Sequence, residues 1–203
     1  GNALTFTYNY LGEIATITDV STGRTLTLNY DRYKRLLYIT GPVTSQVPDG
    51  IWVRYSYNNR FNLSRVEYAD DNNGSSASGF EYLYEDARDP YNITTKKDLS
   101  GTVLSTWTYD TQDRVISNTN VQGTGVDINY VSDSEIEVTD IYGITSTEHV
   151  VEVNGLKKIV ETTQPNGCAS CSSGIFKTAF DPTTGLAVEY EYYNGRIDKL
   201  SSY

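Results

Sequence analysis

Two cysteines, one histidine and three close carboxylate pairs are the groups in this 203-residue sequence that could do chemistry. Cys168 and Cys171 lie in Cys-Ala-Ser-Cys. A redox pair at that spacing needs its first thiol acidified, usually by a helix N-terminus. Here Ser172-Ser173-Gly174 leads instead into an alternating, strand-like run from Ile175 to Phe180. Tetrahedral zinc asks for about four ligands, more than two cysteines and His149 supply without carboxylates or a second chain. A loop disulfide or a pair of free thiols is the favoured reading of Cys168 and Cys171. Metal and redox roles stay open beside it, because spacing alone underdetermines the chemistry.

Any Ser-His-Asp arrangement must use His149, the single histidine. It lies four residues before Val153, which closes its own alternating run. That is the register of Leu4, Leu26 and Phe80, so His149 is expected to pack on an apolar face. Glycoside hydrolysis needs two carboxylates facing each other across a sugar. Glu135/Glu137 and Glu189/Glu191 instead alternate with apolar residues, as solvent-face charges on strands do. Asp70 and Asp71 open a small polar loop that falls short of an EF-hand: its glycine, Gly74, is one place early and no glutamate closes it. No catalytic residue, cofactor or metal is expected.

The elements that carry these residues read as strands. The sequence holds 18 tyrosines and 16 glycines, with many Thr, Val and Ile, which suit a pleated, half-buried surface. Its 38% hydrophobic content is low for a compact globule, as expected where a sheet leaves one face wet. Net charge is −10, which repels nucleic-acid backbones and anionic membrane surfaces. No apolar run is long enough for a membrane helix. The absence of methionine and the abrupt Gly1-Asn2-Ala3 start suggest a section of a larger protein.

Self-similarity organises the chain. Tyr8, Tyr30, Tyr57, Tyr84, Tyr109, Tyr130 and Phe180 each close an alternating run, and the six tyrosines recur every 21 to 27 residues. Six residues beyond the anchors stand Ile14, Leu36, Leu63, Val115, Ile136 and Leu186; Tyr84 reaches Ile93 across a three-residue insertion. Before them lie same-face sets such as Leu26, Leu28, Tyr30 and Val53, Tyr55, Tyr57, interleaved with polar residues. Gly- and Asn-containing breakers separate the runs, including Asn154-Gly155 and Asn194-Gly195, the pair that suits a two-residue hairpin turn. The pattern predicts an all-β fold: an array of antiparallel β-hairpin repeats forming a curled sheet or a β-solenoid or shell section. A single array of about eight degenerate repeats is expected over residues 1–203.

Tyr30-Asp31 with Arg35-Leu36, Tyr109-Asp110 with Arg114-Val115, and Phe180-Asp181 with Gly185-Leu186 resemble the Tyr-Asp-x-x-Gly-Arg-Leu core of the YD repeat, also called the RHS repeat. Gly12 holds the glycine slot after Tyr8; elsewhere that slot is Lys34, Asp113 or Ser134. The resemblance runs along nearly the whole chain. It implies a β-shell of the kind known from bacterial polymorphic toxins, toxin complexes and teneurin-like surface receptors, enclosing or displaying another segment of a secreted or cell-surface protein. The partners it implies are flanking repeats or cargo. Asp181-Pro182-Thr183-Thr184-Gly185 lies inside an ordinary repeat, so the self-cleavage residues of releasing family members are not carried over, and no enzymatic role follows.

If hairpins pair side by side, Glu13 meets Arg35 and Arg114 meets Glu135. Unpaired strand edges favour edge-to-edge self-association. An adhesion module contacting glycan or protein through tyrosine-rich surfaces is the alternative function. For that reading Trp52 is the candidate ligand contact, since its parity is opposite to Tyr57, while Trp107 follows the inward alternation.

Overall fold

The computed structural model describes residues 3–43, 50–69, 77–163, 175–193 and 197–201. Cys168, Cys171, Asp70, Asp71 and the Asn194-Gly195 turn lie outside the described residues. Every regular element described is a β-strand. The chain divides into two compact units, Gly1–Thr106 and Trp107–Tyr203, with the division falling inside a strand.

The first unit is a meander of β1 (Leu4–Tyr8), β2 (Ile14–Asp19), β3 (Thr25–Tyr30), β4 (Leu36–Thr40), β5 (Trp52–Tyr57), β6 (Leu63–Ala69), β7 (Ala77–Leu83), β8 (Thr95–Asp98) and the start of β9 (Val103–Tyr109). Each strand pairs antiparallel with the next. The second unit holds β10 (Val115–Asn120), β11 (Gly125–Tyr130), β12 (Glu135–Asp140), β13 (Thr145–Val153), β14 (Leu156–Thr163), β15 (Ile175–Phe180), β16 (Ala187–Tyr193) and β17 (Ile197–Ser201). Its pairing is again antiparallel and sequential.

The anchors sit at defined places in this ladder. Tyr8 faces Ile14, Tyr30 faces Leu36, Tyr57 faces Leu63 and Tyr130 faces Ile136 across their hairpins. Phe180 departs from the spacing: its partner is Ala187, not Leu186. The turn from Asp181 to Gly185 is one residue longer than those after Tyr8, Tyr30 and Tyr57 and matches the Asp19 to Gly23 turn, with its N–H to C=O contact running from Gly185 back to Asp181. Beside four of these pairs the ladder slips by one, with Val188 the extra residue opposite Ala179 and Phe180. Thr7 pairs with Thr16, Asn29 with Tyr38 and Ser56 with Arg65, leaving Ala15, Leu37 and Ser64 as extra residues. These are β-bulges, which sharpen local twist and change which side chains share a face.

No second layer covers either sheet among the described residues. Among the described residues Val150, at 4% exposure, is the one buried hydrophobic side chain, and Thr95 and Thr178 are the buried polar ones. Among the described residues a compact core does not form within either unit. Side chains are instead half-buried by neighbours in their own sheet, so cross-strand pairs carry the stability. On the polar faces threonines meet in pairs, Thr7 with Thr16 at 2.6 Å and Thr139 with Thr145 at 2.9 Å between hydroxyls.

Two neighbouring glycines separate backbone conformation from close approach. Gly123 has φ +71° in a turn with open space around it, whereas a Cβ at Gly125 would sit 1.9 Å from the Asn118 carbonyl oxygen on β10. Gly125→Ala is expected to cost about 1–3 kcal/mol through that clash, and Gly123→Ala about 1–2 kcal/mol through left-handed strain alone. Urea denaturation of both variants checks this. Equal tolerance of Gly125→Ala and wild type would disprove the close approach.

Candidate functional site

The turn from Tyr30 to Leu36 shows how the repeat is built. Asp31 accepts the Tyr33 and Arg35 N–H groups on Oδ1, at 2.8 and 3.0 Å. Its other oxygen, Oδ2, accepts Arg35 Nε at 2.7 Å and lies 2.6 Å from Nη2. The Asp31 N–H donates to Arg35 O and the Lys34 N–H to Asp31 O, which closes the loop with Lys34 at φ +66°. Asp110 repeats the arrangement on Gln112, Arg114 N–H and the Arg114 guanidinium, with Asp113 at φ +59°. Asn9 and Asn58 close their turns with a carboxamide oxygen in the same two contacts.

The arginine of one repeat then stacks on the anchor of the next. The Arg35 guanidinium carbon lies 4.5 Å from the Tyr57 ring centre, and that of Arg114 lies 4.1 Å from the Tyr130 ring centre. The anchor hydroxyl reaches back in turn. Tyr57 donates to Leu36 O at 2.9 Å, Tyr84 to Leu63 O at 2.8 Å and Tyr130 to Val115 O at 3.0 Å. In each case the acceptor stands six residues after the preceding anchor. Burial pushes the Tyr57 hydroxyl above its ordinary pKa, so it remains a donor at neutral pH.

The expected pairs between repeats are replaced by pairs within the turn. Arg35 binds Asp31 and Arg114 binds Asp110, while Glu13 meets Lys34 at 3.0 Å and Glu135 lies 3.8 Å from His149. A carboxylate already held by backbone N–H groups is pre-positioned for the guanidinium four residues on, and it outcompetes an acid on another hairpin.

His149 also departs from expectation. Its side chain is 44% exposed and faces Glu135 on β12 and Glu161 on β14. The buried residue of β13 is its neighbour Val150, so counting back from Val153 assigns the wrong parity. A transverse row runs Glu135, His149, Glu161, Lys177, Glu191, Lys199 across β12 to β17, alternating acid with base. Lys177 and Glu161 approach to 3.2 Å. Glu137 accepts from the Asn129 carboxamide at 2.8 Å. Glu161, Glu189 and Glu191 gather with Lys177 around an open depression of about 360 Å³, floored by Val160, Thr178 and Ala179. Among the described residues no group of three His, Cys, Asp or Glu side chains could hold a metal ion.

Trp52 lies on the face of Tyr38 and Arg54. Its ring is inclined 20° to that of Tyr38, with centres 6.2 Å apart. The Arg54 guanidinium stands 5.6 and 5.7 Å from the Trp52 and Tyr38 ring centres. Half-buried rather than free, Trp52 still belongs to the polar face.

A second family of turns, at the other end of the hairpins, uses the same closure. Asp98, Asn120 and Asp140 each accept two backbone N–H groups, from Ser100 and Thr102, Gln122 and Thr124, and Tyr142 and Ile144. Gly101, Gly123 and Gly143 take the left-handed position. Reading glycine as a breaker misses these acceptors. An Asp or Asn three residues before the glycine is the signal that would have found them.

The chain matches no family model and no curated protein. Among solved structures it is similar to TcdB2-TccC3 without its hypervariable C-terminal region, with 11% identity over 99% of this chain and 14% of that one and a TM-score of 0.42. The Photorhabdus luminescens Tc holotoxin pore gives 11% identity over 97% and 13%, at 0.36. A porin-like protein from Bacteroides uniformis gives 13% over 92% and 89%, at 0.40. This chain therefore spans about a seventh of the TcdB2-TccC3 chain. Scores this low leave the fold resting on the strand pairing, and the function on the residues.

Removing one hydroxyl rung, Tyr57→Phe or Tyr130→Phe, is expected to cost about 0.5–1.5 kcal/mol in urea denaturation; an unchanged midpoint in both variants would show the rung to be idle. Acid sensitivity gives a second check. The Ser21 and Thr22 hydroxyls, with the Ser21 N–H, lower the Asp19 carboxyl from 3.8 to about 2. At Asp31 burial, the largest single influence, acts upward, yet the hydrogen bonds from Arg35 and Tyr33 and the Arg35 charge hold it below its ordinary value. A carboxyl lowered by folding stabilises the fold fully above its unfolded pKa, and that contribution drains away as pH falls through the folded value. For Asp19 the window runs from about 4 down to about 2. Asp19→Asn is expected to flatten the stability profile in that window, as followed by circular dichroism.

Proposed function

We propose that this chain is a non-catalytic wall segment of a secreted or cell-surface bacterial protein of YD-repeat type, enclosing or displaying another segment of its parent. The observation that carries this reading is the recurring bond from an anchor tyrosine hydroxyl to the carbonyl six residues after the preceding anchor. Such a contact serves propagation: each repeat offers the acceptor that the next one needs, as nearest-neighbour stability in repeat arrays requires. Carboxylates committed to turn closure or to rows that alternate acid with base favour scaffold over hydrolase. The partners of this reading are flanking repeats and an enclosed segment; net charge disfavours nucleic acid.

The second reading, an adhesion module, draws on the Tyr38–Trp52–Arg54 group, an aromatic pair and a guanidinium on the polar face.

Limited proteolysis of the intact parent protein separates the two. A wall segment is expected to leave an enclosed segment resistant in the parent and readily cut when that segment is expressed without the array. Equal cleavage in both settings would remove the wall reading.

A further inference from the structure

Phe61 occupies a left-handed turn position that the equivalent turns fill with glycine or with the polar residues Lys34 and Asp113. Its φ is +68°, in the turn position filled by Gly12 after Asn9 and by Gly101, Gly123 and Gly143 elsewhere. A bulky side chain in the left-handed region is strained, and strain of this kind persists where the surroundings or a function demand it. The ring is nevertheless 56% exposed. It meets Tyr33 of the neighbouring turn edge to face, with centres 5.3 Å apart, and Tyr33 is itself 53% exposed.

Cations frame this pair. Arg35 lies beneath, 4.6 Å from the Phe61 ring centre and 5.5 Å from that of Tyr33, its charge committed to Asp31. Arg32 lies 4.7 Å from the Tyr33 ring centre and donates to the Tyr33 hydroxyl at 2.7 Å. Arg32 and Arg60 are both exposed, and among the described residues neither has an acidic side chain within salt-bridge distance. The chain as a whole carries net charge −10, so an unneutralised guanidinium on the Tyr33 ring, with a second exposed arginine, Arg60, next to Phe61 in the chain, stands out chemically. Arginine and aromatic side chains together are the composition of binding hot spots.

We infer that Arg32, Tyr33, Arg60 and Phe61, on two adjacent hairpin turns of the first unit, form a docking patch for an acidic peptide segment of a partner protein carrying an apolar or aromatic side chain between its carboxylates. The guanidinium groups supply charge complementarity and bidentate hydrogen bonding to carboxylates, and the two rings take the apolar side chain. Arg35 acts as a positioning residue that holds both rings. This surface does not depend on the wall reading.

The test uses the full chain and a fluorescently labelled peptide in which glutamates flank one phenylalanine, followed by anisotropy. Saturable binding that weakens with added salt is expected, since exposed charge contacts are screened. Arg32→Ala with Arg60→Ala, and separately Phe61→Gly, are expected to weaken it about tenfold or more. The second variant also carries the discriminating readout: glycine relieves the left-handed strain, so the thermal midpoint of Phe61→Gly is expected to stay level or rise while binding is lost. The patch is overturned if wild type does not bind, or if Phe61→Gly binds as wild type does. A lowered midpoint in Phe61→Gly would make the ring a packing cover for Arg35 and equally overturn it. So would a single-stranded oligonucleotide that binds as tightly as the peptide irrespective of Phe61.

Discussion

A side-chain oxygen from Asp or Asn, held by two backbone N–H groups of its own turn, is the constraint on which the rest of the structure depends. It recurs at Asn9, Asp31, Asn58, Asp98, Asp110, Asn120 and Asp140. Two N–H groups that would otherwise face only solvent are satisfied inside a tight loop, so the loop length is set. A fixed loop length fixes which residues face each other, and therefore which face each side chain occupies. Tyr8, Tyr30 and Tyr57 meet their aliphatic partners because the Asp or Asn next to each has closed the turn; beyond Tyr130 a serine, Ser132, takes that part.

Stability must then come from within the sheet. With Val150 as the one buried hydrophobic side chain among the described residues, there is little burial from a second layer. The tyrosine rungs supply hydrogen bonds between repeats, the arginines supply cation–π contacts, and the charge rows bias strands toward one register. Arg65 illustrates the last: it bridges Glu67 on its own strand and Glu81 on β7, both at 3.0 Å. A one-residue slip would place like charges opposite each other or strand them among apolar neighbours. Each such contact is worth little alone, so repetition is what makes the arrangement hold.

Two residues show where local and longer-range demands meet. Arg35 serves its own turn through Asp31 and the next repeat through Tyr57. Its charge is stabilised by aromatic faces on one side and a carboxylate on the other, which suits a delocalised guanidinium better than an ammonium. Phe61 goes the other way, accepting a backbone conformation it disfavours while presenting much of its ring to solvent.

Strand identity, hairpin succession and the anchor positions were legible in the sequence, because alternation of period two and turn residues are local properties. Tyr30 and Leu36 could be placed opposite each other from spacing alone. The partners of Arg35, Arg114 and His149 could not. A β-bulge changes parity without leaving a compositional mark, so Leu37 and Val160 shift the faces of everything counted across them. Choosing between Glu13 and Asp31 for Arg35 is a competition in distance and pre-positioning, which only coordinates resolve. The sequence by itself determined which residues make strands and where the chain turns. Tertiary structure decided which charges meet, which tyrosine hydroxyl finds which carbonyl, and that Phe61 stands where a glycine would be relaxed.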